Sequence, residues 1–317
     1  MKTTMQQQTA LNVEQHVKSN EINAISPVTN VVLNILFWVY TVLCLFPILV
    51  VLAVSFSDQK QVTLHGYNII PRQFSLDAYS YLLNDATQIV HAYGLSILVT
   101  VIGTTLGLLM TALFAYPISR QDFDFRTFFS FFLFFTMIFG GGLVPWYIVF
   151  TNWLDMRDTI WALIIPGLLF NAFYVIIMRT FFQTSIHPSI IESAGIDGAG
   201  ELRIFFRIIL PLSTPVMATI ALFYTIGYWN DWFNSLVFIQ QDKLVSLQYL
   251  MYKTMMNLQF LVSNAANTGN AGGAIAKLPG ETVRMAMAII GMGPIVLAYP
   301  IFQKYFVKGL TIGAVKG

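Results

Sequence analysis

Long apolar stretches separated by short polar segments are the main pattern along this chain. A helix that crosses a bilayer needs roughly 17 to 25 mainly apolar residues, because the hydrocarbon layer is about 30 Å thick. Six stretches satisfy this requirement, at about 31–56, 92–118, 127–149, 160–182, 207–229 and 284–306. The pattern predicts an all-α integral membrane protein with about six transmembrane helices.

The polar ends and loops predict the organisation and orientation of the chain. We expect an N-terminal tail at 1–30, the six-helix transmembrane domain at 31–306 and a C-terminal tail at 307–317. With six spans both termini lie on one side of the membrane. Of the 17 lysines and arginines, ten lie on that side and seven on the other. Because short cytoplasmic loops retain positive charge, this distribution favours cytoplasmic termini.

Two glycine-containing segments interrupt the apolar pattern. Gly140–Gly142 lies near the outer end of the third predicted span, where the backbone either lines a cavity or simply turns. The last outer loop, at about 240–283, contains an Asn/Ala/Gly tract from Asn264 to Ala274. This composition predicts a flexible segment.

The composition supports a membrane environment. Apolar residues make up 56% of the chain and charged residues 10%, whereas soluble domains usually carry about a quarter charged residues. A formal net charge of +2 argues against a nucleic-acid partner. The single cysteine, Cys44, cannot form an internal disulfide.

The sequence offers no chemistry for an energy source or a reaction of its own. The spans contain almost no ionisable residues, which ion-coupled carriers usually need near the bilayer midplane. No GxxxxGK[ST] motif, zinc-ligand spacing of histidines or serine nucleophile motif is present, so we predict no catalytic and no metal site. Two alternatives to an ATP-driven transporter subunit stay open: a polytopic membrane enzyme of glycan metabolism and a gradient-driven sugar carrier.

The loop between the fourth and fifth spans, at about 187–205, has the signals of a short surface helix. Pro188 suits the first turn of a helix, because its missing N–H is not needed there. Asp197 and Gly198 predict a stop, since glycine can adopt the positive φ that ends many helices. A second helix should follow, with Phe205, Phe206 and Ile209 toward the bilayer and Arg203 and Arg207 toward the surface.

This loop resembles a known motif. Glu192-Ser-Ala-Gly-Ile-Asp-Gly198-Ala, followed by Leu210-Pro211, is similar to the EAA loop of binding-protein-dependent ABC importer permeases, with Ser193 where alanine is usual. Further segments resemble the carbohydrate-uptake branch, and the last one is most similar to its lipoprotein/polysaccharide-type permeases. These segments are Gly141–Tyr147, Tyr228–Phe233 and Tyr299–Gly309, with the end Gly313–Gly317.

The resemblance implies a type I ABC importer permease fold with a cytoplasmic coupling helix, in a bacterial cytoplasmic membrane. It implies that the chain docks an ATPase through Glu192, Ser193, Ala194, Asp197, Gly198 and Ala199. The implied partners are a second permease subunit, usually a different chain, two ATPase subunits that bind ATP and Mg²⁺, an extracellular solute-binding protein and an oligosaccharide.

A cluster at the outer end of the fifth span is the candidate substrate path. Aromatic faces beside amide and carboxylate groups suit the alternating CH and OH surface of a sugar. Tryptophan and tyrosine are also enriched at membrane interfaces, so an aromatic belt is an equal alternative. The cluster consists of Tyr228, Trp229, Asn230, Asp231, Trp232 and Asn234, and all of these except Trp232 are the predicted path residues.

Overall fold

The computed structural model describes residues 26–84, 86–168, 171–267 and 280–314, and these residues are almost entirely helical. Within them, the extended pairing is an isolated bridge between Ser57 and Phe74. The helices are α1 Pro27–Ser55, α2 Gln59–His65, α3 Asp77–Leu83, α4 Ala86–Ser119, α5 Arg126–Ile138, α6 Leu143–Trp153, α7 Trp161–Leu168, α8 Ala172–Ser185, α9 Pro188–Ile196, α10 Glu201–Leu212, α11 Thr214–Trp229, α12 Phe233–Phe238, α13 Leu247–Asn267 and α14 Gly280–Ala314.

These helices account for up to six membrane spans, three of them single helices and three of them bent pairs. Helices α1, α4 and α14 are each long and apolar enough to cross a bilayer. The pairs α5/α6, α7/α8 and α10/α11 meet the same test together, with bends of 113°, 53° and 82°. The predicted all-α membrane fold is therefore confirmed, but the third, fourth and fifth spans are not the continuous helices that the apolar pattern predicts.

Glycine and proline explain two of these breaks. Gly142, between α5 and α6, has φ +80°, which few other residues adopt. The fifth span was predicted from residue 207, but α11 begins only at Thr214. Pro215 cannot donate a hydrogen bond to the carbonyl of Pro211, and the Thr214 hydroxyl donates to that carbonyl instead at 2.7 Å. The chain can therefore bend here without leaving that acceptor unsatisfied.

Helix α4 is the centre of the core. It packs against α11, α8 and α7, and α11 packs in turn against α14. The buried face of α4 consists largely of small residues, among them Gly103, Gly107, Thr111, Ala112 and Ala115. Small residues let membrane helices approach closely, which is the main source of packing energy in lipid.

Tyr228 on α11 fills the space that two glycines leave. A Cβ at Gly103 would lie 2.5 Å from Tyr228 Cζ, and one at Gly167 would lie 2.8 Å from Cε1. The Tyr228 hydroxyl donates to the carbonyl of Ile164 at 2.9 Å. One buried ring therefore fastens α11 to both α4 and α7.

We expect Gly103→Ala to destabilise the protein by about 1–3 kcal/mol, the usual cost of overpacking a tight core. The added methyl group would displace the Tyr228 ring and its hydrogen bond. Thermal unfolding in detergent should show a lower midpoint than wild type. Gly94→Ala on the same helix is the control, because its Cβ would meet no atom of the described residues within 4 Å. Equal midpoints for the two variants would contradict this packing role.

Helix α14 is fastened near Pro294, which lies inside the continuous helix. Pro294 has no N–H for the carbonyl of Ile290, and the hydroxyl of Tyr93 on α4 donates to that carbonyl. Trp229 Nε1 donates to the neighbouring carbonyl of Gly291 at 2.8 Å. Side chains from two other spans thus hold α14 through adjacent carbonyls, one of which lacks its helical donor because of Pro294.

Several predicted boundaries differ from the structure. The first helix begins at Pro27 rather than at residue 31, and the last continues to Ala314 through the predicted C-terminal tail. Asn264–Asn267, predicted to be flexible, belongs to α13, while 268–279 and the tail residues 1–25 lie outside the described residues. Helices α2 and α3 were not predicted.

Candidate functional site

Helix α9 is a short surface helix with defined ends, as the sequence predicts. His187 Nδ1 accepts a hydrogen bond from the backbone N–H of Ser189 at 3.4 Å, and Pro188 occupies the first turn. At the other end, Gly198 has φ +78°, and the N–H of Ala199 donates to the carbonyl of Ala194 at 3.0 Å. The predicted start and stop of this helix are confirmed.

The residues predicted to dock a partner divide into two groups. Glu192, Ser193, Asp197 and Gly198 are exposed and form the outward surface of α9, and Ala199 is half-buried. Ala194 is only 9% exposed and belongs to the chain's own hydrophobic core. It therefore packs α9 against the rest of the chain, whereas the other five predicted docking residues are exposed or half-buried.

Two large apolar side chains near α9 were missed by the sequence analysis. Ile196 is 87% exposed at the end of α9, and Leu202 is 70% exposed in α10. Ile196 does not lie on the apolar face of α9 that Ile191 and Ala194 share. Its position outside that face was the signal that could have identified it as an exposed side chain. Apolar side chains this exposed next to polar residues are typical of an interaction surface.

The helix that follows α9 is buried more deeply than predicted. Phe205 and Ile209, predicted to face the bilayer, are each 1% exposed and lie in the core. The reason is that the face of α10 that carries both residues packs into the chain's own core and not against lipid, although its middle turn at Phe205–Ile209 is π-helical. Phe206 stays exposed. The Phe205 ring lies 5.4 Å from the ring of Tyr116 on α4.

A polar cluster ties the start of α10 to the end of α4. Arg120 Nη1 donates to Glu201 Oε2 at 3.0 Å, and the Tyr116 hydroxyl donates to the same oxygen at 2.8 Å. Arg120 also forms an ion pair with Asp122, which lowers the pKa of that carboxyl group. The Arg120 side chain is 19% exposed, whereas those of Asp122 and Glu201 are 65% and 63% exposed. This cluster, together with Phe205, connects α10 to the central helix α4.

The residues of the predicted substrate path do not all lie at a surface. Tyr228 and Trp229 are buried, and both donate to backbone carbonyls of other spans. Asn230 is exposed. Asp231 accepts from the N–H of Asn234 at 3.1 Å and from its Nδ2 at 2.5 Å, while burial raises the pKa of the Asp231 carboxyl group. Tyr228 and Trp229 therefore hold the span in place, and only the other three residues lie near a surface.

Comparisons with known proteins agree with this arrangement of spans and surface helix. The family of binding-protein-dependent transport system inner membrane components matches residues 27–312. The chain belongs to this family. It is an inner-membrane subunit of an ABC importer and a permease rather than an enzyme.

Two curated relatives and one solved structure extend the comparison to most of the chain. The polygalacturonan/rhamnogalacturonan transport system permease protein YtcP of Bacillus subtilis (strain 168) is 37% identical over 279 residues, 88% of this chain and 94% of the relative. Protein LplC of the same organism is 37% identical over 273 residues, 86% of this chain and 90% of the relative. A crystal structure of a bacterial ABC transporter involved in the import of the acidic polysaccharide alginate matches with a TM-score of 0.73 and 30% identity, over 88% of this chain and 96% of that chain. The type I importer permease fold is thereby confirmed.

Proposed function

We propose that this permease forms one half of the translocation pathway of an ATP-driven oligosaccharide importer and couples to an ATPase through α9. The observation that carries the proposal is the construction of α9. It is capped at both ends, anchored from below by Ala194, and presents Glu192, Ser193, Ile196 and Asp197 outward. A rigid helix whose exposed surface is partly polar and partly apolar can bind another protein and be displaced by it without unfolding.

In this proposal the conformational change begins at α9 and is transmitted to α4. Two ATPase subunits bind ATP and Mg²⁺ and close, which displaces α9. The displacement passes through the contact of Phe205 with Tyr116 and the ion pair of Glu201 with Arg120. The bent spans then move as packed units. As a result, the pathway between the two permease subunits switches between opening on one side of the membrane and opening on the other.

The orientation follows from the same proposal. The ATPase subunits are cytoplasmic, so α9 and both termini lie on the cytoplasmic side. The outer helices α2, α3 and α13 then face an extracellular solute-binding protein. The second permease subunit is a different chain, as is usual in this branch of the family, and the complex resides in a bacterial cytoplasmic membrane.

The substrate class is supported by the relatives and by the outer end of α11. YtcP is named for polygalacturonan/rhamnogalacturonan transport, and the solved structure is that of a transporter for alginate. Asn230, Asp231 and Asn234 lie outside the buried part of α11 and offer amide and carboxylate groups to sugar hydroxyls.

Uptake by proteoliposomes tests the proposal. The vesicles should contain this chain, its partner permease and two ATPase subunits, and the labelled oligosaccharide should be presented on the solute-binding protein. We expect uptake that requires MgATP and stops when the P-loop lysine of the ATPase is replaced. Uptake by this chain alone, driven by an ion gradient, would refute the proposal in favour of a carrier.

A further inference from the structure

A second feature at the outer end of the spans is a cavity between α11, α13 and α14. Its volume is about 390 Å³, within the range of about 300–1,000 Å³ that is typical of small-molecule sites. Its polar and aromatic lining residues are Asn230, Trp232, Gln248, Tyr252 and Arg284. We call this space the outer cavity. Of these five residues, Asn230 belongs to the predicted substrate path and Trp232 to the same predicted aromatic cluster, whereas Gln248, Tyr252 and Arg284 were not predicted.

The aromatic part of the outer cavity suits a sugar ring. Trp232 and Tyr252 are stacked, with ring centroids 4.6 Å apart and an interplanar angle of 24°. Trp232 nevertheless stays 38% exposed, so part of its surface is available to a ligand. The CH face of a sugar packs on such a ring, and the amides of Asn230 and Gln248 can pair with hydroxyl groups.

Arg284 gives the outer cavity its charge. It is the charged residue among the lining residues that the structure describes. Its Nη1 donates to Glu281 Oε1 at 3.1 Å, but its Nε is buried and has no hydrogen-bond partner among the described residues. A buried donor without an acceptor is costly. The Arg284 side chain as a whole is 34% exposed, so a ligand in the cavity can reach its terminal Nη groups rather than Nε.

The ion-pair partner of Arg284 does not line the outer cavity. This partner is Glu281, and its second carboxylate oxygen accepts from the Tyr67 hydroxyl at 2.8 Å. Glu281 is therefore held by Tyr67 as well as by Arg284. A guanidinium pairs best with a planar carboxylate, to which it can donate two parallel hydrogen bonds.

We propose that the outer cavity binds a sugar residue that carries a carboxylate group, with Arg284 as its ionic partner and Trp232 as its stacking surface. The inference rests on the proposed function and adds the charge of the substrate to it. Arg284 would then favour acidic over neutral oligosaccharides at the entrance of the pathway.

Equilibrium binding to the assembled transporter in nanodiscs, without the solute-binding protein, tests this site. The probes are labelled trigalacturonate and its methyl ester, which has the same rings without the charge. We expect wild type to bind the acid at least about tenfold more tightly than the ester, as is usual for a charged hydrogen bond. Because this comparison changes only the ligand, it does not depend on the folding of a variant.

Substitutions then assign the preference to Arg284. Arg284→Gln should bind acid and ester alike, and Arg284→Lys should keep part of the preference. Lys253→Gln is the matched control, since Lys253 also lies on the outer side but pairs with Asp242 at 3.4 Å and does not line the outer cavity. Equal binding of acid and ester by wild type, no binding of either, or an unchanged preference in Arg284→Gln would each overturn the inference.

The failure of this inference can be separated from the failure of the proposed function. If proteoliposomes take up oligosaccharides with MgATP while the acid preference is absent or does not depend on Arg284, the inference is wrong and the proposed function stands. If no oligosaccharide is taken up with MgATP, the proposed function itself fails.

Discussion

Gly198→Val should abolish ATP-driven uptake while the variant still reaches the membrane in normal amounts. Gly198 has φ +78°, which costs an L-residue about 1–2 kcal/mol and a β-branched residue more. A Cβ at this position would meet no atom of the described residues within 4 Å, so the cost lies in the backbone and not in packing. The turn should open, and α9 should lose its fixed position on α10. Uptake by proteoliposomes, normalised to the membrane content of the chain, measures the effect.

Gly198→Asn is the matched control. Asparagine adopts positive φ more readily than other non-glycine residues, because its short side chain can hydrogen-bond locally. We therefore expect this variant to keep most of the uptake. Wild-type uptake in Gly198→Val, or equal losses in both variants, would contradict the view that the conformation of this turn positions α9.

Ile196→Glu should prevent the ATPase from remaining bound to the permease. The Ile196 side chain is 87% exposed in this chain, and burying it against a partner would contribute about 1.5–3 kcal/mol. A glutamate would lose this contribution and would also bring a charge into the interface. The affinity should fall at least about tenfold, since 1.4 kcal/mol corresponds to a factor of about ten. Co-purification of the ATPase with tagged permease measures it.

Leu64→Glu is the control for this second substitution. Leu64 is 74% exposed and lies in α2, on the side that we assign to the exterior. It should leave the amount of bound ATPase unchanged. Loss of the ATPase from the Leu64 variant, or its normal retention by Ile196→Glu, would show that Ile196 is not part of the docking surface.

Local rules were sufficient for much of the fold and for the ends of α9. The apolar lengths predicted six spans, and Pro188 and Gly198 marked a helix start and stop through their own backbone properties. The same apolar lengths did not show that three spans are bent, because the hydropathy of a segment does not depend on the direction in which its helix runs. Gly142 and Pro215 were visible in the sequence, but their effect depends on which neighbours satisfy the freed backbone groups.

Contacts between distant segments could not be predicted in this way. Arg120 and Glu201 are 81 residues apart, and nothing in either local sequence selects the other. Tyr228 belonged to an aromatic cluster that suited both sugar and interface, and its burial depends on the absence of side chains at Gly103 and Gly167. Arg284 began a predicted span, and its place in the outer cavity arises only when α13 packs beside it.

Site-specific cross-linking tests most directly whether α9 receives the ATPase. The single cysteine, Cys44, is replaced by serine, and Ser193→Cys places a thiol on the exposed face of α9. With a short cross-linker that carries a maleimide for this thiol and a photoreactive diazirine, which needs no cysteine on the partner, illumination of the assembled transporter should form a covalent product between this chain and the ATPase. Thr63→Cys on α2 should form none. A fully assembled transporter that yields no such product from Ser193→Cys would contradict the account.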